Sequence, residues 1–240
     1  MPKQIIDRVT VTGADDSVLV ENLVKVQEEY PFVEWGILLS KSSEGRPRFP
    51  SVPWIEILWA VKGKLTLSGH LCGKWVRDIC DGANSLYDDR PQFDGLFGRY
   101  QLNFHSYLHR IKDEAAFLYA LVTLRVGEVI FQFDDVNNEL LHTMRARGIN
   151  AVPLFDTSGG AGVLPAEWPK ALDVYSGYAG GLSPENLNGQ MKLISEKCGG
   201  GPIWIDAETQ LRSKDNSQFD LERVCDFLDA ARPWVKEEAR

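Results

Sequence analysis

Short runs rich in Val, Ile, Leu and Phe recur along the chain, and most are followed by a stretch whose apolar residues repeat at helical spacing. Such runs fit strands buried on both faces, and the amphipathic stretches supply the crossovers that parallel strands require. V-T-V-T at 9–12 precedes V-L-V-E-N-L-V-K-V-Q-E-E-Y at 18–30. F-V-E-W-G-I-L-L-S at 32–40 precedes a polar loop at 41–51 and a helix from about Trp54 to Val61. K-L-T-L-S-G-H-L-C at 64–72 leads into a helix near 74–80, and G-R-Y-Q-L-N-F-H at 98–105 into an amphipathic stretch at 113–124. E-V-I-F-Q-F-D-D at 128–135 leads into 137–147, and A-V-P-L-F-D at 151–156 is the sixth strand. The seventh, 173–182, runs into a helix that Ser183 is suited to cap and Pro184 to begin, and P-I-W-I-D-A at 202–207 precedes a last helix at 219–231.

Eight strand-helix units without a long Pro/Gly/Ser linker predict one domain over 1–240, an α/β chain closed into a (β/α)8 TIM barrel. An open doubly wound sheet is the alternative, but V-T-G-A-D-D-S after the first strand is not its G-x-G-x-x-G turn. Residues near 81–97 fit no element and read as a surface insertion. A formal charge of -8 with no run of Lys and Arg excludes nucleic acid as a natural partner, though a small anionic substrate needs only a local patch. The apolar runs fall short of a membrane span and the first residues lack a signal-peptide pattern, so the cytoplasm is expected. The oligomeric state is not legible. Cys72, Cys80, Cys198 and Cys225 are scattered with no C-x-x-C pair, which points to buried thiols rather than a disulfide framework or a zinc site.

In such a barrel the C-terminal strand ends carry the chemistry, and residues two apart on a strand share a face. With one parity, the third strand ends in His70 and Cys72, the fourth in Gln101, Asn103 and His105, and the fifth in Gln132 and Asp134. Asp156 ends the sixth strand, and Asp206 with Glu208 the eighth. The stretch L-F-D-T-S-G-G-A-G puts Asp156 on a rigid support ahead of Gly159 and Gly160, in a loop free to fold over a substrate. Gly180 and Gly181 precede a helix start, where backbone N–H groups and the helix dipole suit a phosphate.

These residues resemble the phosphoribosylanthranilate isomerases of tryptophan biosynthesis, single-domain barrels of the ribulose-phosphate binding type. The likeness runs in order over nearly the whole chain outside 81–97. R-P-R-F-P-S at 46–51 is similar to the family's S-P-R-Y-V-S, Y-Q-L-N-F-H to its V-Q-L-H-G, and Y-A-G-G-L-S-P-E-N-L to its L-A-G-G-L-T-P-E-N-V. The resemblance implies an isomerase of the intramolecular oxidoreductase type, with Asp156 as general acid and Arg48 as a substrate-binding arginine. Two departures stand out. The family's K-I-C-G-I-T carries its general base on cysteine, whereas R-V-T-V-T-G-A-D has no thiol; the family's D-V-S-S-G-V-E holds phosphate, whereas D-A-E-T-Q-L-R sets Glu208 there.

The expectation is therefore a divergent member of that kind, moving a proton on a small sugar phosphate or related polar metabolite without a cofactor. Asp156 is the acid, and His105, His70 or Cys72 the replacement base. Gln101, Asn103, Asp134, Asp206 and Glu208 complete the substrate site. One alternative is a metal-dependent epimerase or lyase, with a divalent ion held among His70, His105, Asp134, Asp156, Asp206 and Glu208. The other is a non-catalytic ligand-binding homologue.

Overall fold

In the computed structural model, which describes residues 3–103, 110–133, 137–156 and 161–239, eight parallel strands pair in sequence order and the eighth returns to the first, closing a barrel. The strands are β1 Ile6–Thr12, β2 Val33–Leu39, β3 Leu67–Leu71, β4 Arg99–Leu102, β5 Glu128–Phe133, β6 Ala151–Asp156, β7 Ser176–Ala179 and β8 Ile203–Ala207. Outside them lie α1 Val20–Glu29, α2 Val52–Ala60, α3 Lys74–Cys80, a short α4 Leu86–Asp89, α5 Glu114–Val122, α6 Asn138–Ala146, α7 Leu187–Lys197 and α8 Leu221–Ala231. No helix among the described residues is long and apolar enough to cross a membrane.

Local chemistry fixes where these helices start. Ser51 Oγ accepts from Trp54 N at 3.4 Å, Asp113 Oδ1 from Ala116 N at 3.0 Å and Asp220 Oδ1 from Arg223 N at 3.1 Å, each satisfying a backbone donor that the first turn leaves open. Along α1, Val20, Leu23 and Val26 are buried at intervals of one turn, so one stripe faces the strands.

Two expectations are corrected. Among the described residues no helix stands between β6 and β7, because Pro165 and Pro169 interrupt any helical run there. Trp168 fills the gap: it is buried, donates from Nε1 to Gln190 Oε1 on α7 at 2.8 Å, and packs edge-on against Tyr178. Residues 81–97 do not merely lie on the surface. They include α4 and bury Leu86, Phe93, Leu96 and Phe97, with Phe93 edge-on to both Trp75 and Phe97. Removing that apolar area from water is what holds the segment against α3 and β4.

The apolar core divides in two. The larger part lies between strands and helices, and a smaller one, Ile130, Val152, Leu154, Ala179 and Trp204, comes from β5 to β8 alone. Facing that smaller cluster, β1, β2 and β4 contribute charge. Glu34, 1% exposed, accepts from Arg99 Nε at 2.8 Å and Nη2 at 2.5 Å, from Arg8 Nη1 at 3.0 Å and from the Thr10 hydroxyl at 2.9 Å. The Arg99 guanidinium also lies 4.7 Å from the Trp204 ring, where the two halves meet. A buried carboxylate and guanidinium so fully hydrogen-bonded can stay ionised.

Candidate active site

At the C-terminal ends of the strands a cavity of about 190 Å³ brings together seven of the strand-end residues expected from sequence: His70, Gln101, Asn103, Gln132, Asp156, Asp206 and Glu208. Gly180 and Gly181 also line it. Cys72 and Arg48 do not; each stands one contact behind, Cys72 on Asn103 and Arg48 on Glu208. His105, Asp134, Gly159 and Gly160 lie outside the described residues. Thr12, Thr209 and Gln210 reach the cavity too. Thr12 shares the inward parity of β1, a signal that could have found it; the other two lie on a single 3-10 turn, Thr209–Leu211, after β8, too short for any periodicity to mark.

Asp206 is strongly perturbed. Burial raises its carboxyl well above the usual range, the charges of Glu208 and Asp156 add to this, and one hydrogen bond from Thr12 at 2.8 Å opposes it. Asp206 thus favours its protonated form. Room for this contact comes from Gly36 on β2, where a Cβ would sit 2.2 Å from Thr12 Oγ1 and 2.9 Å from His70 Cε1. Asp156, on β6, accepts from Gln132 Nε2 at 3.5 Å.

His70 is a poor proton acceptor here. Burial is the first cause that lowers it, to about 3, and its Nε2 shares a hydrogen bond with Ser68 Oγ at 3.0 Å. Burial likewise pushes the Cys72 thiol up to about 11, with Asn103 Nδ2 donating to its sulfur at 3.1 Å. Neither group is set to work as a base near neutral pH. Cys80 and Cys198 are buried as expected, whereas Cys225 is only half-buried, and all four thiols are free.

At the rim, Arg48 Nη1 donates to Glu208 Oε1 at 2.7 Å. Burial raises Glu208, while Arg48 and Arg212 pull it back. Asp15, which the sequence did not single out, ties this rim together, accepting from Arg48 N at 2.6 Å and Arg212 Nη2 at 2.7 Å. Its burial would raise it, but hydrogen bonds from Ser17, Arg48 and Arg212 hold it below the usual range. Arg48 sits at φ 76, a costly left-handed conformation for a residue with a side chain, and the Asp15 contact anchors it there.

Gly181 serves a steric purpose. A Cβ there would lie 2.5 Å from Leu164 N, so glycine lets the chain after β6 lie directly against the turn after β7. The first turn ahead of α7 is capped from within: Ser183 Oγ accepts from Asn186 N at 3.3 Å and Asn186 Oδ1 from Ser183 N at 2.9 Å. Among the described residues no group of three or more His, Cys, Asp or Glu side chains is arranged to hold a metal ion.

No family model matches the chain, and no curated protein matches it. Among solved structures it is similar to the N-(5'-phosphoribosyl)anthranilate isomerase of Pyrococcus furiosus, with a TM-score of 0.54 and 13% identity, over 94% of this chain and 98% of that one. The phosphoribosyl anthranilate isomerase of Thermococcus kodakaraensis gives a TM-score of 0.46 at 14% identity, over 95% and 99% of the two chains. The first of these likenesses establishes a common fold.

Proposed function

We propose that this barrel is a proton-transfer enzyme of the isomerase type, acting on a small, hydroxyl-rich sugar-like metabolite. The carrying observation is the meeting of Asp156 and Asp206 in one cavity, with Asp206 surrounded so as to keep its proton. A carboxyl group that keeps its proton, with a second carboxyl group in the same cavity, can form an acid–base couple without a thiol or an imidazole. Here Asp206, rather than Asp156 as expected from sequence, is the acid: it gives its proton to the substrate's carbonyl oxygen while Asp156 takes the proton from the carbon next to that carbonyl, and the C–H electron pair forms the C=C bond of an enediol. Once the proton has moved, the two side chains can exchange roles in a later half of the reaction. The resemblance to phosphoribosylanthranilate isomerases, the fold shared with one of them and the placement of Asp156 at the end of β6 all support this class of reaction. The absence of a thiol from β1 and the Glu208 carboxylate at the cavity rim argue for a substrate other than phosphoribosylanthranilate.

The test is deuterium exchange. Purified protein in D2O with a panel of aldoses, ketoses and amino sugars is expected to label the carbon next to the carbonyl of at least one. Asp156→Asn and Asp206→Asn should each slow labelling by about 10²-fold or more. Labelling that survives both substitutions, or none across the panel, would sink the proposal.

A further inference from the structure

From the charge pattern around the cavity we infer that its ligand carries no phosphate: it is a small polyol or amino sugar, uncharged or cationic, bound through its donor groups. Glu208 occupies on Arg48 the place that a ligand anion would otherwise take. This rests on the proton-transfer reading above and narrows its substrate, departing from the expectation of an anionic one.

Two arginines stand near the rim, and both are spent. Arg48 gives Nη1 to Glu208 at 2.7 Å and Nη2 to Thr209 Oγ1 at 3.3 Å. Arg212, whose side chain is fully buried, gives Nη1 to Gly13 O at 2.6 Å, Nη2 to Asp15 at 2.7 Å and Nε to Asn216 O at 3.3 Å. No Lys or Arg lines the cavity among the described residues, and residues 104–109, 134–136 and 157–160 contain none. Asp156 and Glu208 face the same space as the protonated Asp206, and a phosphate dianion brought against a carboxylate there is repelled. In the turn ahead of α7 the Ser183 and Asn186 N–H groups are taken by each other's side chains, which leaves the backbone of Gly180, Gly181 and Leu182 along the cavity.

A second observation points to a donor. Gln101 is 5% exposed and lines the cavity; its amide nitrogen is bound to Asn103 Oδ1 at 2.8 Å, and its Oε1 is buried with no partner. A buried acceptor left open in this way is satisfied when a ligand hydroxyl or ammonium group enters. The cavity, about 190 Å³, is smaller than the pockets of about 300–1,000 Å³ that take drug-sized ligands, which suits one small molecule.

The test compares the wild type with Glu208→Gln, each checked for folding by its thermal transition, using equilibrium dialysis against radiolabelled inorganic phosphate. Release of Arg48 is expected to tighten phosphate binding by about tenfold or more, and Arg48→Ala on the Glu208→Gln background should abolish the gain. Equal phosphate affinity in wild type and Glu208→Gln, or tighter binding by the wild type, overturns the inference. Should Glu208→Gln not fold, wild-type competition decides between ribose and ribose 5-phosphate: tighter binding of ribose 5-phosphate overturns the inference, and its failure to outbind ribose upholds it. These outcomes are independent of deuterium exchange, so phosphate binding could be found while the Asp156–Asp206 couple still moves protons.

Discussion

Replacing Arg99 by Met tests the polar half of the barrel interior. Arg99 makes three close contacts with Glu34, one with Glu128 at 2.7 Å and one with Thr10 at 3.2 Å, and only 2% of its side chain is exposed. Arg99→Met leaves Glu34 buried with only Arg8 and Thr10 as partners. Breaking a buried pair from one side costs about 3–5 kcal/mol. In a domain of this size that lowers Tm by about 6–20 °C, at about 2–4 °C per kcal/mol. Burial raises Glu34, but Arg99, Arg8 and Thr10 outweigh it and hold it below its ordinary 4.5, so its contribution is present above that pH and is lost as pH falls through the lower folded value. In the variant burial prevails and raises Glu34, so the penalty shrinks as pH falls toward its ordinary 4.5 and Glu34 takes up a proton. Urea denaturation of wild type, Arg99→Met, Glu34→Gln and the double variant reads all of this. A loss below about 1 kcal/mol in Arg99→Met, or a double variant as unstable as the sum of the singles, would refute the assigned coupling.

Gly36→Ala should cost about 1–3 kcal/mol by pushing Thr12 and His70 apart, read by denaturation, and should impair labelling because Asp206 loses its Thr12 contact. His70, lowered to about 3, stays neutral in the folded chain while its unfolded counterpart protonates below about 6.5. It therefore removes up to about 1.4 kcal/mol of stability per pH unit as pH falls below that value, and His70→Gln should flatten the profile. Cys72→Ala should retain deuterium labelling, since a thiol near 11 supplies no base. The chain should fail to rescue a tryptophan auxotroph that lacks phosphoribosylanthranilate isomerase; rescue at ordinary expression would show that β1 needs no thiol.

The barrel was legible because period-2 parity and helical spacing are local properties, and parity alone gathered His70, Gln101, Asp156 and Asp206 at one mouth. That no helix stands between β6 and β7 among the described residues was less legible, since Trp168 fills that place through contacts with Gln190 and Tyr178 that no local pattern encodes. Residues 81–97 read as a surface insertion because the partners that bury their aromatic side chains, Trp75 and Tyr100, come together only in the fold. Proton affinity was least legible. His70 looked like a base from its residue type, and only its burial shows that it is not one. Asp15 and Arg212 lie 197 residues apart, and nothing in sequence announces their pairing.

That Asp206 stores a proton beside Asp156 is tested most directly by its carboxyl vibration, in infrared difference spectra of wild type against Asp206→Asn recorded across pH. A protonated-carboxyl band that persists well above the ordinary aspartate value of 3.8, and moves to lower pH in Asp156→Asn, is the expected result. An Asp206 that is already ionised at 3.8, or is unmoved by loss of the Asp156 charge, would contradict it.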